Sequence, residues 1–215
     1  MTDWSVIIKD ALRMAPRKVD KQARREDILA AAMGVFATHG YRQTTIDQIA
    51  DATGISKGAV YLSFASKEDL FYALFEQMTQ AAMHLPDASG EGPPASAKAQ
   101  IQALFDGMLA MIDANEHLIP LTLEFWSACG VEETRERFGG RFAELFGAFR
   151  TLLSGLIEQG VQRGEFRDGL PVQALASAVM AMIDGLLLQQ WTDPDIRASQ
   201  ITRAALPFLL RALDV

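Results

Sequence analysis

The chain has 215 residues, of which 49% are apolar, and a formal net charge of -7. That apolar content is enough for a substantial core, which excludes a disordered or fibrous chain, and no run approaches the roughly 18 apolar residues of a membrane span. A single cysteine, Cys129, rules out an intrachain disulfide and a zinc site built on several cysteines.

Residues 1–22 are read as an N-terminal extension. Trp4, Ile7, Ile8, Ala11 and Leu12 fall at helical spacing and form an apolar face. Because "MAPRKVDKQARRED" from Met14 also reads as a natural start, residues 1–13 stay open between a docking helix and an upstream extension of little role. The stretch lacks the basic flank and continuous apolar run of a secretory signal, so a cytoplasmic location is expected. Basic residues then crowd together at Arg17, Lys18, Lys21, Arg24 and Arg25. Residues 1–72 hold 10 Lys and Arg against 9 Asp and Glu, whereas residues 73–215 hold 10 against 18. The acidity therefore belongs to the C-terminal part, and a basic surface remains available near the N-terminus.

Apolar residues recur three and four apart almost everywhere and no alternating strand pattern occurs, which predicts an all-α fold. A first helix is expected from about Arg24 to His39, with Ile28, Leu29, Ala32, Val35 and Phe36 as its stripe, ended by Gly40 and covered by Tyr41. Thr45 starts a second, short helix. Gln48 three residues on completes a capping box, and Ile46, Ile49 and Ala50 face inward. After the Gly54 turn, Ser56 caps a third helix in the stretch "GISKGAVYLSF". Ser66 and Asp69 cap a fourth, which runs through Leu70, Leu74 and Met78 towards His84. A loop, "LPDASGEGPPAS", follows at 85–96. Further helices are expected at about 96–114, 117–129, 131–163, 171–191 and 194–213, with Gly139 and Gly140 able to bend or break the third of them.

Two short helices around a glycine turn have helix-turn-helix spacing, in which the second enters the major groove. A helix from Ser56 places Val60 and Phe64 on one side and Lys57, Ala59, Tyr61 and Ser63 around the others. Small Gly58 and Ala59 permit close approach to the groove, Tyr61 suits phosphate, and Lys57 suits phosphate or guanine. Spacing alone leaves two readings open, a capped core helix or a DNA reader.

The run "TTIDQIADATGISKGAVYLSFASKEDLFYALFEQM", Thr44 to Met78, with "AMGVFATHGYRQTTIDQIA" before it, resembles the DNA-binding domain of TetR/AcrR-family repressors. The resemblance implies a homodimer with two such heads, at residues 23–68, on helical effector-binding and dimerisation domains at residues 69–215. It also implies that Lys57, Gly58, Ala59, Tyr61, Leu62 and Ser63 face double-stranded operator DNA. Thr45 and Lys67 would lie near phosphates, with Arg42 as a further candidate and Val60 and Phe64 as core. Leu62 departs from the bulkier polar or aromatic residues of that position.

The C-terminal helices carry bulky apolar residues, most of them core. A pocket among them is expected from Phe105, Met108, Leu109, Ile112, Leu121, Phe125, Trp126, Phe146 and Phe149, shaped for a small hydrophobic or aromatic effector, with Phe142 alongside. Glu124 either attracts a cationic ligand or points to solvent, and solvent is the commoner case. The last two helices are apolar over more than one face, which suits burial against a second copy. Asp184 and Gly185 within them are read as structural, the glycine allowing close helix contact.

No cofactor or metal is expected. His39, His84 and His117 are scattered, and no catalytic or nucleotide-binding motif occurs. Cys129 reads as a buried thiol, and Glu132 and Glu133 as favourable charge at a helix start. The reading is a ligand-responsive transcriptional repressor without enzymatic activity. The alternative is a helical ligand- or partner-binding module without sequence-specific DNA binding.

Overall fold

The computed structural model describes residues 21–83 and 96–215. The candidate docking helix at 1–13, Arg17, Lys18, His84 and almost all of the 85–96 loop lie outside them. In chain order the helices are α1 (Lys21–Gln43), α2 (Ile46–Thr53), α3 (Lys57–Tyr61), α4 (Lys67–Met83), α5 (Ala97–Ala114), α6 (Ile119–Ala128), α7 (Glu132–Gln162), α8 (Val172–Thr192) and α9 (Ala198–Arg211). A 3-10 turn, Glu116–Leu118, leads into α6. The described residues contain no extended strand, only an isolated bridge between Phe166 and Asp214.

The helix ends follow the capping chemistry of the sequence. Gly40 interrupts α1 with φ 75° and ψ 160°, a conformation open to glycine and strained for other residues. At α2 the Thr45 amide donates to Gln48 Oε1 (2.8 Å), and the Gln48 amide returns a bond to Thr45 Oγ1 (3.3 Å). Gly54 closes α2 in the left-handed region, φ 68°. The Ile55 amide then reaches back to the Ala50 carbonyl at 3.1 Å, satisfying a carbonyl that the helix leaves open. Ser56 Oγ accepts from the Ala59 amide (3.2 Å) and Ser66 Oγ from the Asp69 amide (3.0 Å). Gly139 and Gly140 neither bend α7 out of its class nor break it, because its 31 residues are held by α5, α4 and α8 on either side.

Ile28, Leu29, Ala32 and Phe36 of α1 meet Ile46, Ile49 and Ala50 of α2, Val60 of α3 and Phe64 in one buried cluster. That cluster does not close around the first helices. Through Leu70, Phe71, Leu74 and Phe75 of α4 it continues into Leu121 and Phe125 of α6 and Phe138 and Phe142 of α7. The rings interlock, with centroids 4.5 Å apart for Phe71 and Phe125 and 4.7 Å for Phe75 and Phe125. A second cluster packs α5 against α7, α8 and α9 through Ile101, Phe105, Leu153, Ile157, Ile183, Leu206 and Leu210.

Helix α8 runs counter to the reading that no segment is apolar enough for a membrane span. It reaches a mean hydropathy of 1.5 over an 18-residue window, and only 11% of that window is buried. Together with α9 it leaves Leu188, Trp191, Ile201, Phe208 and Leu209 exposed.

The turn after α7 packs so tightly that a methyl group at Gly160 would overlap the Phe166 ring and press on Ala97. Gly160→Ala is expected to cost about 2 kcal/mol through overpacking and to lower Tm by roughly 4–8 °C, read by thermal denaturation.

Candidate DNA-binding surface and effector cavity

Helix α3 is held from beneath and presented above. Val60 and Phe64 are buried, and Arg25 of α1 reaches under the end of the helix. Its guanidinium donates to the Ser63 carbonyl (2.8 Å) and lies 4.1 Å from the centre of the Phe64 ring. Arg25, expected only as part of a basic cluster, thus positions the candidate reading helix, and only the fold brings it there from 38 residues away.

The opposite surface carries Arg42, Thr45, Lys57, Gly58, Tyr61 and Leu62, all exposed, with Ala59 and Ser63 half-buried beside them. Leu62 is 84% exposed beside Tyr61 at 47%. Lys57 Nζ sits 2.8 Å from Asp47 Oδ2, and that hydrogen bond raises the ammonium pKa. An exposed, solvent-screened pair of this kind is weak, so a DNA phosphate or base can replace it at little cost.

Lys67 is turned away from this surface. Its ammonium donates to the carbonyls of Tyr41 (2.8 Å) and Thr44 (2.9 Å), and lies 4.5 Å from the centre of the Tyr41 ring. It closes the end of α1, where free carbonyls attract a cation.

A cavity of about 490 Å³ lies beneath, among α1, α4, α5, α6, α7 and α8. That volume is in the range that holds a small organic molecule, roughly 300–1,000 Å³. Six of the nine expected residues line it: Met108, Ile112, Phe125, Trp126, Phe146 and Phe149. Phe105, Leu109 and Leu121 do not. All three are buried among neighbouring helices, and on α5 the 105/109 pair is turned about 60° from the 108/112 pair, towards the core. Phe142 lines the cavity, and sequence reasoning missed Met33 of α1, Phe75, Gln77, Met78 and Thr79 of α4, and Met180, Ile183, Asp184 and Leu187 of α8.

Asp184 is therefore a wall residue of the cavity rather than a purely structural one. Burial alone pushes its carboxyl up to about 6. Several charges on the surrounding elements are engaged with other groups. Glu124 binds the Tyr41 amide (2.6 Å), Arg141 binds Thr79 Oγ1 and Glu144 (2.8 Å each), and Arg203 binds Asp113 (2.9 Å). Glu116 of the 3-10 turn is held by Gln190 and Arg197. Gly185 has open space where a Cβ would stand, so the close helix contact expected of it is not made within this chain.

Glu124 also departs from its expected solvent position. It lies on α6 opposite the cavity-lining Thr122, Leu123, Phe125 and Trp126, and its bond to the Tyr41 amide ties that helix to the kink of α1. Arg137 of α7 adds a second tie, to Asp69 of α4 (3.0 Å) and over the Tyr72 ring at 3.7 Å. Cys129 is half-buried, burial raises its thiol pKa, and its Sγ lies 3.6 Å from the Phe125 carbonyl. No group of three or more potential metal ligands occurs among the described residues.

Comparisons with known proteins agree along the chain. Residues 28–74 match the family model of bacterial regulatory proteins, tetR family, and residues 97–214 match that of the BetI-type transcriptional repressor, C-terminal. The HTH-type transcriptional repressor KstR2 of Rhodococcus jostii is 30% identical over 158 residues, 71% of this chain and 72% of that protein. The fatty acid metabolism regulator protein of Bacillus subtilis is 27% identical over 165 residues, 76% of this chain and 81% of that protein. Among solved structures, a TetR transcription regulator from Haloarcula marismortui superposes with a TM-score of 0.79 at 23% identity, covering 90% of this chain and 100% of that one. FadR from Bacillus subtilis, in complex with stearoyl-CoA, superposes with a TM-score of 0.68 at 24% identity, covering 86% and 96%.

The Asp184 carboxyl carries a pH signature. Below about pH 4 it is protonated in folded and unfolded chains alike and costs nothing; above about pH 6 it is charged in the folded chain at full cost. Its contribution to stability thus declines as pH rises through that window. Asp184→Asn is expected to stabilise the protein at pH 7 by about 1 kcal/mol, discounted for solvent screening, the gain closing as pH falls towards 4. Thermal melts of both proteins across pH check this.

Proposed function

Because the chain belongs to the TetR family of bacterial regulatory proteins, we propose a specific form for its work as a ligand-responsive transcriptional repressor. Two copies dock their α3 helices in successive major grooves of a palindromic operator, about 34 Å apart. A small lipophilic effector in the 490 Å³ cavity then alters that spacing. One observation carries the reading: α4 belongs to both places. Its Leu70, Phe71 and Leu74 pack in the core beneath α3, while Phe75, Gln77, Met78 and Thr79 wall the cavity. A ligand that displaces the second half of the helix displaces the first, and an effector that prefers the shifted state lowers DNA affinity by the factor by which DNA lowers its own.

The wall supports an apolar, adaptable ligand. Six aromatic rings and five methionines line it, and methionine repacks at little cost. Stearoyl-CoA in the Bacillus subtilis FadR structure carries an apolar chain of the kind such a wall accepts. A DNA partner supports a cytoplasmic location. The alternative, a binding module without sequence-specific DNA recognition, gives no role to the exposed Tyr61 and Leu62 side by side at the end of α3.

The test of DNA reading is an anisotropy titration with the DNA flanking the protein's own gene. Tyr61→Phe is expected to weaken all sequences alike, whereas Lys57→Ala is expected to lose about 1–3 kcal/mol of discrimination at one base pair. Equal losses across sequences for Lys57→Ala would remove its base-reading role and leave it a phosphate contact.

For the dimer, the exposed Leu188, Trp191, Ile201, Phe208 and Leu209 of α8 and α9 support a four-helix bundle with the partner's copies, and Gly185 lets it approach. Light scattering is expected to give twice 23.6 kDa at micromolar concentration, and Leu188→Glu with Phe208→Glu a monomer.

A further inference from the structure

Among the described residues the cavity has one ionisable wall residue and no cation. Besides Asp184, its polar lining consists of Gln77, Thr79, Asn115 and Thr122. Three of these four are already engaged with the protein. The Thr79 and Thr122 hydroxyls donate to the Phe75 and Leu118 carbonyls (2.9 and 3.2 Å), and the Asn115 amide to Met111 (2.8 Å).

Asp184 has no hydrogen-bond or ion-pair partner among the described residues, although it is half-buried in the wall between Met180, Ile183 and Leu187. Its carboxylate is not fully enclosed, since among the described residues Ser154 Oγ is the one fully buried side-chain polar atom without a partner. A carboxylate partly withdrawn from water with no donor is still disfavoured, and the cost falls when a ligand brings the donor and the opposite charge. The remaining walls suit the same ligand. Trp126, Phe142, Phe146 and Phe149 present ring faces whose negative charge attracts cations.

We infer that the cavity takes a lipophilic cation, an organic amine protonated at neutral pH or a quaternary ammonium, whose nitrogen pairs with Asp184 while its apolar body lies among the aromatic and methionine side chains. The inference rests on the reading of the cavity as the effector site and goes beyond it by assigning the ligand's charge. A carboxylate-bearing ligand of the same size meets like charge at Asp184 and is rejected.

Three probes that share one chain and differ in the head group separate the possibilities: octylammonium, octanol and octanoate, titrated calorimetrically into the full-length protein and into D184N. Wild type is expected to bind octylammonium about tenfold or more tighter than octanol, and octanoate more weakly than either. D184N is expected to lose the preference for octylammonium over octanol. Octanol binding without a cation preference, or a preference that survives in D184N, overturns the assignment of charge and leaves the cavity reading standing. No binding of any of the three, with the melting temperature unmoved by all of them, overturns both. The wild-type comparison is decisive by itself, so the test does not depend on how D184N folds.

Discussion

The structure depends on one aromatic seam. Phe71 and Phe75 of α4 lock against Phe125 of α6 and Phe138 and Phe142 of α7, and the buried cluster they belong to reaches without interruption from Ile28 under the reading helix to the cavity wall. Interiors packed in this way are stiff and move between discrete arrangements rather than yielding gradually. A head joined to its body by a loose linker would swing freely and could not report on a ligand. Joined through shared rings, it has an orientation that the cavity can bias.

Polar contacts tie the same elements together. Glu124 holds the Tyr41 amide at the kink of α1, Arg137 holds Asp69 at the start of α4, and Lys67 closes the carbonyls between α1 and α2. Each joins a helix that walls the cavity, or packs on it, to an element of the DNA-binding head. Gly40 is the residue that makes the first contact possible: a Cβ there would stand 2.9 Å from Glu124 Oε1, and its φ of 75° is one that side chains disfavour. The cavity itself works against stability, since its lining forfeits dispersion contacts and leaves Asp184 without a donor. A site that gives up packing and solvation in this way gains most when it is filled.

Local structure was legible in the residues because it is set locally. Thr45 with Gln48, Gly54, Ser56, and Ser66 with Asp69 punctuate the head through hydrogen bonds spanning three or four residues, and the structure makes each of them. Helices in the C-terminal half lie within a few residues of the apolar periodicity. The cavity was half legible. Periodicity shows that Phe105, Met108, Leu109 and Ile112 lie on an apolar side of α5, but two stripes about 60° apart look alike in sequence, and which one faces the void depends on where α7 and α9 pack.

By itself, then, the sequence determined the all-α fold and the short capped helices of the head, since caps, turn glycines and 3.6-residue periodicity act over a few residues; their reading as a DNA-binding head came from the family resemblance. Tertiary structure alone decided what charged groups separated along the chain do. It turned Lys67 inward to carbonyls, carried Arg25 beneath Phe64, set Glu124 against a kink 83 residues earlier, and left Asp184 facing the cavity with no partner. The physical reason is the same in each case. A charge is defined by what desolvates or answers it, and those groups arrive from other helices.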